Sequence, residues 1–364
     1  MDLTAFSATY AEARDKFGAA VQPLDAETAR FDNPNKGPAG EGLWTDVAYL
    51  GAKDARKVAV LISGTHGVEG FCGSGAQIAW LRSDAAKRLP RDVGVLLVHA
   101  INPYGFAWLR RVTEEGVDLN RNFIDFSKPL PENPGYDALA DWFIPAEIEG
   151  PVLDTALAKL KAWRAEHGDL AYFTAWSAGQ YRHPEGVFFG GNAPTWSRRT
   201  HEAIAARFLA GRKQVAGVDF HTGLGPFGYG EPICHHAPGS EALARAQAWY
   251  GQSLTEPLRG TSTSQARDGL THYGYARILP GVALNFVSLE YGTYSREHGA
   301  RVFREDHWLH RKFGVLGGID DPRGKTIKAA IRNHFYPDTP DWKEMVLWRA
   351  FQVIRQTVEG LAAS

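Results

Sequence analysis

Several features that define whole classes of protein are missing from this 364-residue sequence. It has only two cysteines, Cys72 and Cys234, which cannot form a disulfide framework and lack the paired spacing of a structural zinc site. No window approaches the roughly 18 apolar residues that a membrane-spanning helix needs. The N-terminal segment has acids where a signal peptide has bases. We therefore expect an unexported, cytoplasmic protein that does not enter a membrane.

An excess of charge of one sign is also absent. Lys and Arg number 40 against 41 Asp and Glu, so the formal net charge is -1 and no global basic field attracts nucleic acid or an anionic membrane. The basic segment WLRR, residues 108–111, is too short to form a nucleic-acid-binding stripe. A hydrophobic content of 44% is ample for a packed core and excludes general disorder. We expect a small-molecule or short-peptide ligand, and no nucleic-acid partner.

Strand-like and helix-like segments alternate along the chain without repeats, which is typical of an α/β layered domain. The stretch 126–151, rich in Pro and Gly, is predicted to be an excursion from the sheet rather than a domain boundary. Continuous apolar runs predict strands at 57–63, 93–100, 215–220, 231–236 and 284–290. The predicted helices cover 4–18, 73–83, 150–166, 195–209, 239–252 and 341–361.

Polar side chains follow four of these predicted strands, and ligands in open α/β sheets bind beyond the carboxyl ends of strands. His66 and Glu69 follow the first, Asn102 the second, His221 closes the third and Glu290 closes the last. Two histidines and one glutamate are the protein ligands of a catalytic zinc site that keeps a position for water. Taken singly, each could be a helix cap, a buried hydrogen-bonded histidine or a salt-bridge partner. Their joint placement, each followed by a glycine, favours a metal site with Glu290 as general base.

A second polar cluster, WLRRVTEEGVDLNRNF, covers residues 108–123. Arg110, Arg111 and Arg121, together with Asn120, make this segment rich in hydrogen-bond donors. Guanidinium groups bind carboxylates with two parallel hydrogen bonds and can stabilise a developing oxyanion. The segment therefore predicts a substrate that is anionic or carries a carbonyl group.

The motifs HGVEG, NPYGF, RR followed by GVDLNRNF, DFHTG and LEYG occur in this order between residues 61 and 292. They resemble the motifs of the zinc carboxypeptidase superfamily, which includes the succinylglutamate desuccinylase and aspartoacylase branch. More narrowly, the chain is similar to a branch catalogued as a domain of unknown function. The resemblance implies a three-layer α/β/α fold with a mixed sheet of about eight strands. It also implies a single catalytic domain over 1–364, with an insertion around 126–190 that would wall the pocket.

The resemblance assigns roles to the residues at the strand ends. His66, Glu69 and His221 would ligate zinc, one ion per chain. Glu290 would take a proton from the attacking water and pass it to the leaving nitrogen. The function implied is zinc-dependent cleavage of an amide bond next to a free carboxylate, by a carboxypeptidase or an N-acyl amino acid deacylase.

The resemblance also implies roles for residues of the donor-rich segment. Arg111 would stabilise the oxyanion, with Arg110 as a rival, and Asn120 and Arg121 would hold a substrate carboxylate. The peptidases of the family also have a mobile tyrosine before the catalytic glutamate. Tyr273 and Tyr275 are the candidates for that role, and their spacing does not choose between them.

Two other functions fit parts of the sequence. Residues 175–179, AWSAG, match a variant of the serine-hydrolase nucleophile elbow around Ser177, although the following QYRHPEG is a poor start for the helix that an elbow requires. A non-catalytic binding protein could keep the same pocket. The intact set of predicted ligands and catalytic residues counts against that second alternative.

Overall fold

The computed structural model describes residues 1–317 and 321–364. Its centre is one mixed β-sheet, and within the described residues the strands are β1 (Ala26–Lys36), β2 (Gly42–Leu50), β3 (Lys57–Ile62), β4 (Val93–His99), β5 (Gln214–Phe227), β6 (Gly230–Ile233) and β7 (Ala283–Gly292). The seven strands lie in the order β1-β2-β4-β3-β5-β7-β6. Strands β4, β3, β5 and β7 run parallel, whereas β1, β2 and β6 pair antiparallel with their neighbours. The predicted α/β fold with a mixed sheet is confirmed, with seven described strands instead of about eight.

All five predicted strands form, but β1 and β2 were not predicted from the sequence. Strand β1 is the edge strand, is largely exposed and contains Pro34 beside a shift in its pairing register, so it lacks an apolar run. Strand β2 alternates in its first half, where Leu43 and Thr45 are buried between less buried neighbours, and is continuously buried only over 47–50. A search for long continuous apolar runs misses both strands, because β1 is largely exposed and only a short part of β2 is buried on both sides.

The α-helices within the described residues are α1 (Tyr10–Val21), α2 (Gly70–Arg82), α3 (Pro103–Ala107), α4 (Leu119–Asn122), α5 (Pro134–Phe143), α6 (Gly150–Ser177), α7 (Trp196–Leu209), α8 (Glu241–Tyr250), α9 (Thr271–Ile278), α10 (Arg296–Gly317), α11 (Pro322–Phe335) and α12 (Pro340–Ala363). The six predicted helices all have a counterpart. The first starts later than predicted because a short 3₁₀ turn precedes it. Helix α6 continues past the predicted end through a kink at Gly168, whose φ of 85° interrupts the helix.

Helices cover both faces of the sheet. Helices α1, α2, α8 and α12 pack on one face, against alternate strand residues such as Leu61 and Leu97. Helices α7 and α9 pack on the other face, against the intervening residues Val60 and Leu96. A third buried cluster joins α5, α6, α10 and α11, and includes Val68 just after the end of β3. No described helix combines the length and the apolar character needed to span a bilayer.

Candidate active site

His66, Glu69 and His221 come together in a buried group whose ligand atoms face one another. His66 and Glu69 lie in the turn between β3 and α2, and His221 lies in β5, the parallel neighbour of β3. His66 Nδ1 is 2.9 Å from Glu69 Oε1 and 3.1 Å from His221 Nδ1, and His221 Nδ1 is 3.2 Å from Glu69 Oε2. A tetrahedral zinc site with bonds of about 2.1 Å separates its ligand atoms by about 3.4 Å. The donor set therefore fits a zinc ion.

A buried carboxylate lies behind each of the two histidines. His66 Nε2 is 3.1 Å from Asp118 Oδ1, and His221 Nε2 is 3.0 Å from Asp219 Oδ2. Metal-ligating histidines commonly direct their second ring nitrogen at a carboxylate, which fixes the tautomer and the orientation of the ring. Burial lowers the pKa of His221, but Asp219 and Glu69 outweigh it, so this pKa lies well above its ordinary value.

Close backbone packing holds the turn that carries His66 and Glu69. Gly67 N–H donates to the carbonyl of Arg111 at 3.1 Å, and Val68 N–H donates to the carbonyl of Arg110 at 2.8 Å. A Cβ atom on Gly67 would lie only 2.0 Å from the carbonyl carbon of Gly105. Glycine is therefore required at position 67, and the turn and the arginine segment are fixed to each other by two backbone hydrogen bonds.

Arg111 reaches the metal-ligand group from this segment. Its Nη1 donates to Glu69 Oε1 at 2.8 Å and its Nε donates to Asp118 Oδ2 at 3.0 Å. Burial raises the pKa of each of these two carboxyl groups, but their cationic neighbours outweigh it and hold both pKa values below the ordinary range. Arg111 thus connects a predicted ligand with the carboxylate behind His66. A cavity opens beside this group, and the side chains of His66, His221 and Arg111 line it.

Glu290 lies next to His221 because the two residues are paired across the parallel strands β5 and β7. Its Oε1 accepts a hydrogen bond from Leu224 N–H at 3.1 Å, and the side chain lines the same cavity. Burial and, after it, the negative charge of Glu69 raise the pKa of Glu290 above its ordinary value. A carboxylate with a raised pKa, beside a group that can hold a metal, has the properties of a general base.

Asn120 and Arg121 line the cavity from the short helix α4. Asn120 Oδ1 accepts hydrogen bonds from the backbone N–H and the hydroxyl of Thr271. Arg121 is only 1% exposed, and it donates to the carbonyls of Asn120 at 2.7 Å and Ser177 at 2.8 Å. Both residues line the cavity, and their role of holding a carboxylate stays a prediction.

Three other residues singled out from the sequence lie away from the cavity wall. Arg110 pairs with Asp306 of α10 at 3.3 Å, so of the two neighbouring arginines Arg111, and not Arg110, lines the cavity. Tyr273 lies on α9 with its ring against His272, and Tyr275 is completely buried beneath the sheet. Neither tyrosine is among the described residues that line the cavity.

Ser177 does not occupy a nucleophile elbow. An elbow places its serine between a strand and a helix, whereas Ser177 is the last residue of α6. Its hydroxyl donates to the carbonyl of Phe173 at 3.0 Å and accepts from Arg267 at 3.2 Å. Among the residues that the structure describes, no histidine is hydrogen-bonded to this hydroxyl, so it lacks the base that a serine nucleophile requires.

Much of the cavity is built from residues that were not singled out from the sequence, although several of them lie within the insertion predicted around 126–190. Arg267 stands in an irregular loop before α9, and the aromatic side of the cavity comes from α6, α10 and α11 and from Phe188 in the chain between α6 and α7. The residues outside the predicted set include Arg164, Tyr172, Phe173, Trp176, Phe188, His235, Arg267, Arg296, Glu297, Phe303 and His334. The cavity therefore combines the candidate metal group and several arginines with an aromatic wall.

A family model described as "Protein of unknown function (DUF2817)" matches residues 6–349, almost the whole chain. The chain belongs to the DUF2817 family. No curated protein sequence matches this DUF2817 chain. The match to this family model confirms the narrower resemblance drawn from the sequence motifs, to a domain of unknown function.

Among solved structures, the DUF2817 chain is similar to carboxypeptidase A from Helicoverpa armigera, with 12% identity and a TM-score of 0.50 over 98% of this chain and 74% of that one. An aspartoacylase family protein from Mesorhizobium loti matches with 14% identity and a TM-score of 0.39, over 79% of this chain and 67% of that one. At 12% identity, the similarity to carboxypeptidase A shows only that the two chains share a fold. The zinc carboxypeptidase-like fold expected from the motifs is therefore confirmed.

Proposed function

We propose that this chain is a zinc-dependent hydrolase that cleaves an amide bond next to a free carboxylate, as a carboxypeptidase or an N-acyl amino acid deacylase. The observation that carries the proposal is the buried group of His66, Glu69 and His221, with a carboxylate behind each histidine. Fold alone does not decide chemistry, since one fold can support many functions. The donor set supports a metal site independently of the similarity to carboxypeptidase A.

In this proposal His66, Glu69 and His221 hold one zinc ion per chain. When bound, the ion would supply a Lewis acid that polarises the amide carbonyl and makes water more acidic. Glu290 removes the proton from the attacking water and returns it to the leaving nitrogen. The burial that raises the pKa of Glu290 makes it a stronger base for the first of these transfers.

Arg111 and the α4 residues act on the substrate rather than on the proton. The guanidinium of Arg111 stabilises the negative charge that develops on the carbonyl oxygen. Asn120 and Arg121 hold the carboxylate next to the scissile amide, and we propose a small molecule or short peptide as substrate. The predicted insertion around 126–190 walls the pocket in this proposal, with Trp176 and Phe188 contributing to its aromatic side.

Elemental analysis combined with a hydrolysis screen tests the proposal. Purified, tag-free protein is analysed for bound metal and then assayed on short peptides and N-acyl amino acids, with and without a chelator. About one zinc per chain and chelator-sensitive release of a free amine are expected. Metal uptake without turnover of any substrate would favour the non-catalytic binding protein instead.

Two substitutions separate metal binding from catalysis. Glu290→Gln is expected to keep the metal and lower kcat by about 10²–10⁴-fold, because a positioned general base contributes about that factor. His221→Ala is expected to lose both the metal and the activity. Glu297→Gln, which changes another acid of the cavity, is the matched control. A Glu290→Gln enzyme that turns over at a near-normal rate would disprove the proposed mechanism.

A further inference from the structure

Apart from the exposed Arg296, two arginines of the cavity, Arg121 and Arg267, form no ion pair with a carboxylate among the described residues. Arg121 bonds only to backbone carbonyls, and Arg267 bonds only to the hydroxyl of Ser177. The Nε atoms of both arginines are buried and contact no acceptor in the described part of the chain. By contrast, Arg110 and Arg111 each pair with a carboxylate. A charge withdrawn from water without a partner is costly, so the buried Arg121 and the partly buried Arg267 together indicate a site for anionic groups.

Ser177 holds these two guanidinium groups side by side. Its carbonyl accepts from Arg121 Nη2 at 2.8 Å, and its hydroxyl accepts from Arg267 Nη2 at 3.2 Å. Burial, together with the positive charges of Arg121 and Arg111, lowers the pKa of Arg267 to about 9. The two like charges are therefore close enough to influence each other, and an anion between or beside them would relieve their repulsion.

The loop that carries Arg267 is anchored from behind by a buried acid. Glu231 of β6, 2% exposed, accepts hydrogen bonds from Thr255 Oγ1 at 2.5 Å, Ser262 Oγ at 2.8 Å and Thr263 N–H at 3.1 Å. The loop is thereby tied to the sheet a few residues before Arg267. A donor positioned in advance by the fold loses less entropy when it binds a ligand.

We propose that Arg267 is a specificity-determining residue that binds a second carboxylate of the substrate. This inference rests on the proposed function, in which Asn120 and Arg121 hold the carboxylate next to the scissile amide. The substrate class is then an amide of an acidic amino acid, either a peptide that ends in Asp or Glu or an N-acyl derivative of one of them. The second carboxylate would pair with Arg267 beside Ser177.

Matched substrates that differ only in the second carboxylate test this assignment. N-acyl-glutamate is compared with N-acyl-glutamine, and peptides ending in Glu with peptides ending in Gln. For Arg267→Gln we expect kcat/KM on the acidic substrates to fall about 10- to 100-fold, as for a lost charged hydrogen bond, with the neutral substrates changed less than about threefold. Arg267→Lys keeps the charge without the planar fork and should restore part of the preference.

Arg164→Gln is the control for net charge. Arg164 also lines the cavity, but it pairs with Asp169 at 2.7 Å, so its loss should leave the preference for acidic substrates intact. Equal losses on acidic and neutral substrates in Arg267→Gln, or the same change in preference in Arg164→Gln, would overturn the assignment.

A binding measurement separates this inference from the proposed function. Calorimetric titration with glutarate and with its monoamide requires no turnover. We expect the wild-type protein to bind glutarate more tightly than the monoamide, and Arg267→Gln to bind the two equally. If no amide is hydrolysed but this difference is found, the proposed function fails and the second anion site stands. If hydrolysis occurs but the wild-type protein does not discriminate, the assignment of Arg267 fails alone.

Discussion

Two buried aspartates determine how the candidate metal ligands are presented. Asp118 contacts His66 Nε2 and also accepts from Arg111 Nε and from the backbone N–H of Asn120. Asp219 contacts His221 Nε2 and accepts from Thr65 Oγ1 at 2.8 Å. A carboxylate at Nε2 keeps the proton on that nitrogen and leaves Nδ1 as the electron-pair donor, which is the form that a metal requires.

Asp219→Asn is predicted to weaken metal affinity without abolishing it. Replacing the carboxylate by an amide removes the charge that orients His221, and losses of this kind typically cost about 10- to 100-fold in affinity. Competition with a chromophoric chelator measures the change. Asp46→Asn is the matched control, because Asp46 is a partly buried strand aspartate bonded to Trp44 and away from the site. An unchanged affinity in Asp219→Asn would show that the carboxylate does not support the ligand.

The residues of the candidate site differed in how far they could be predicted from sequence. His66, Glu69, His221 and Glu290 could be identified because parallel strands present their carboxyl ends at one edge of a sheet. The role of Asp118 could not, since its contact with His66 joins residues 52 positions apart in the sequence and depends on the fold. These contacts are a property of the tertiary structure rather than of any local pattern.

At the scale of elements, a buried charge cluster joins helices α10 and α11 to the segment that carries Arg111. Asp306 of α10 accepts from Lys328 of α11 at 2.6 Å and from Arg110 at 3.3 Å, and all three side chains are buried. Burial lowers the pKa of Lys328 to about 8 although Asp306 opposes the change. Arg110, a rival oxyanion residue from sequence alone, thus connects the helices instead.

Asp306→Asn is predicted to destabilise the protein by about 3–5 kcal/mol, because removing one partner leaves buried charges uncompensated. Denaturant unfolding measures the change in the free energy of unfolding. Glu305→Gln is the matched control, since the neighbouring Glu305 is only partly buried and lies 3.9 Å from Arg301. That control should lose less than about 1 kcal/mol. A similarly small loss in Asp306→Asn would contradict the proposed role of the cluster.

How well a strand or helix could be predicted from the sequence depended on which of its residues are buried. Strands β3 and β4 are completely buried and read as continuous apolar runs, so their sequences alone predict them. Helices α10 and α11 were not predicted, because charged residues such as Asp306 and Lys328 occupy buried positions where an amphipathic pattern would have apolar ones. The buried charged residues that join these helices therefore also interrupt the apolar periodicity by which a helix is predicted.

At the scale of the whole molecule, charge is balanced overall but not locally. The formal net charge is -1, whereas the cavity is lined by Arg111, Arg121, Arg164, Arg267 and Arg296 against Glu290 and Glu297. A near-neutral chain exerts little long-range attraction on anions, so selection of an anionic substrate would take place inside the cavity. The five arginines come from loops and helices around the edge of the sheet where the parallel strands present His221 and Glu290.

The pairing of β3 with β5 also predicts that metal binding stabilises the whole fold. His66 and His221 are 155 positions apart and meet only when β3 and β5 pair, so the unfolded chain lacks the preformed site. Free zinc at about 100 times its Kd should therefore raise the free energy of unfolding by about 2.7 kcal/mol, and a chelator should reverse the gain. Denaturant unfolding with and without zinc measures the effect.

Two variants control for binding at another site. In His183→Ala, a substitution near the surface at a histidine paired with Asp137, zinc should raise the free energy of unfolding as in the wild-type protein. In His221→Ala zinc should not raise it. An equal response in His221→Ala would mean that zinc stabilises the protein from another site.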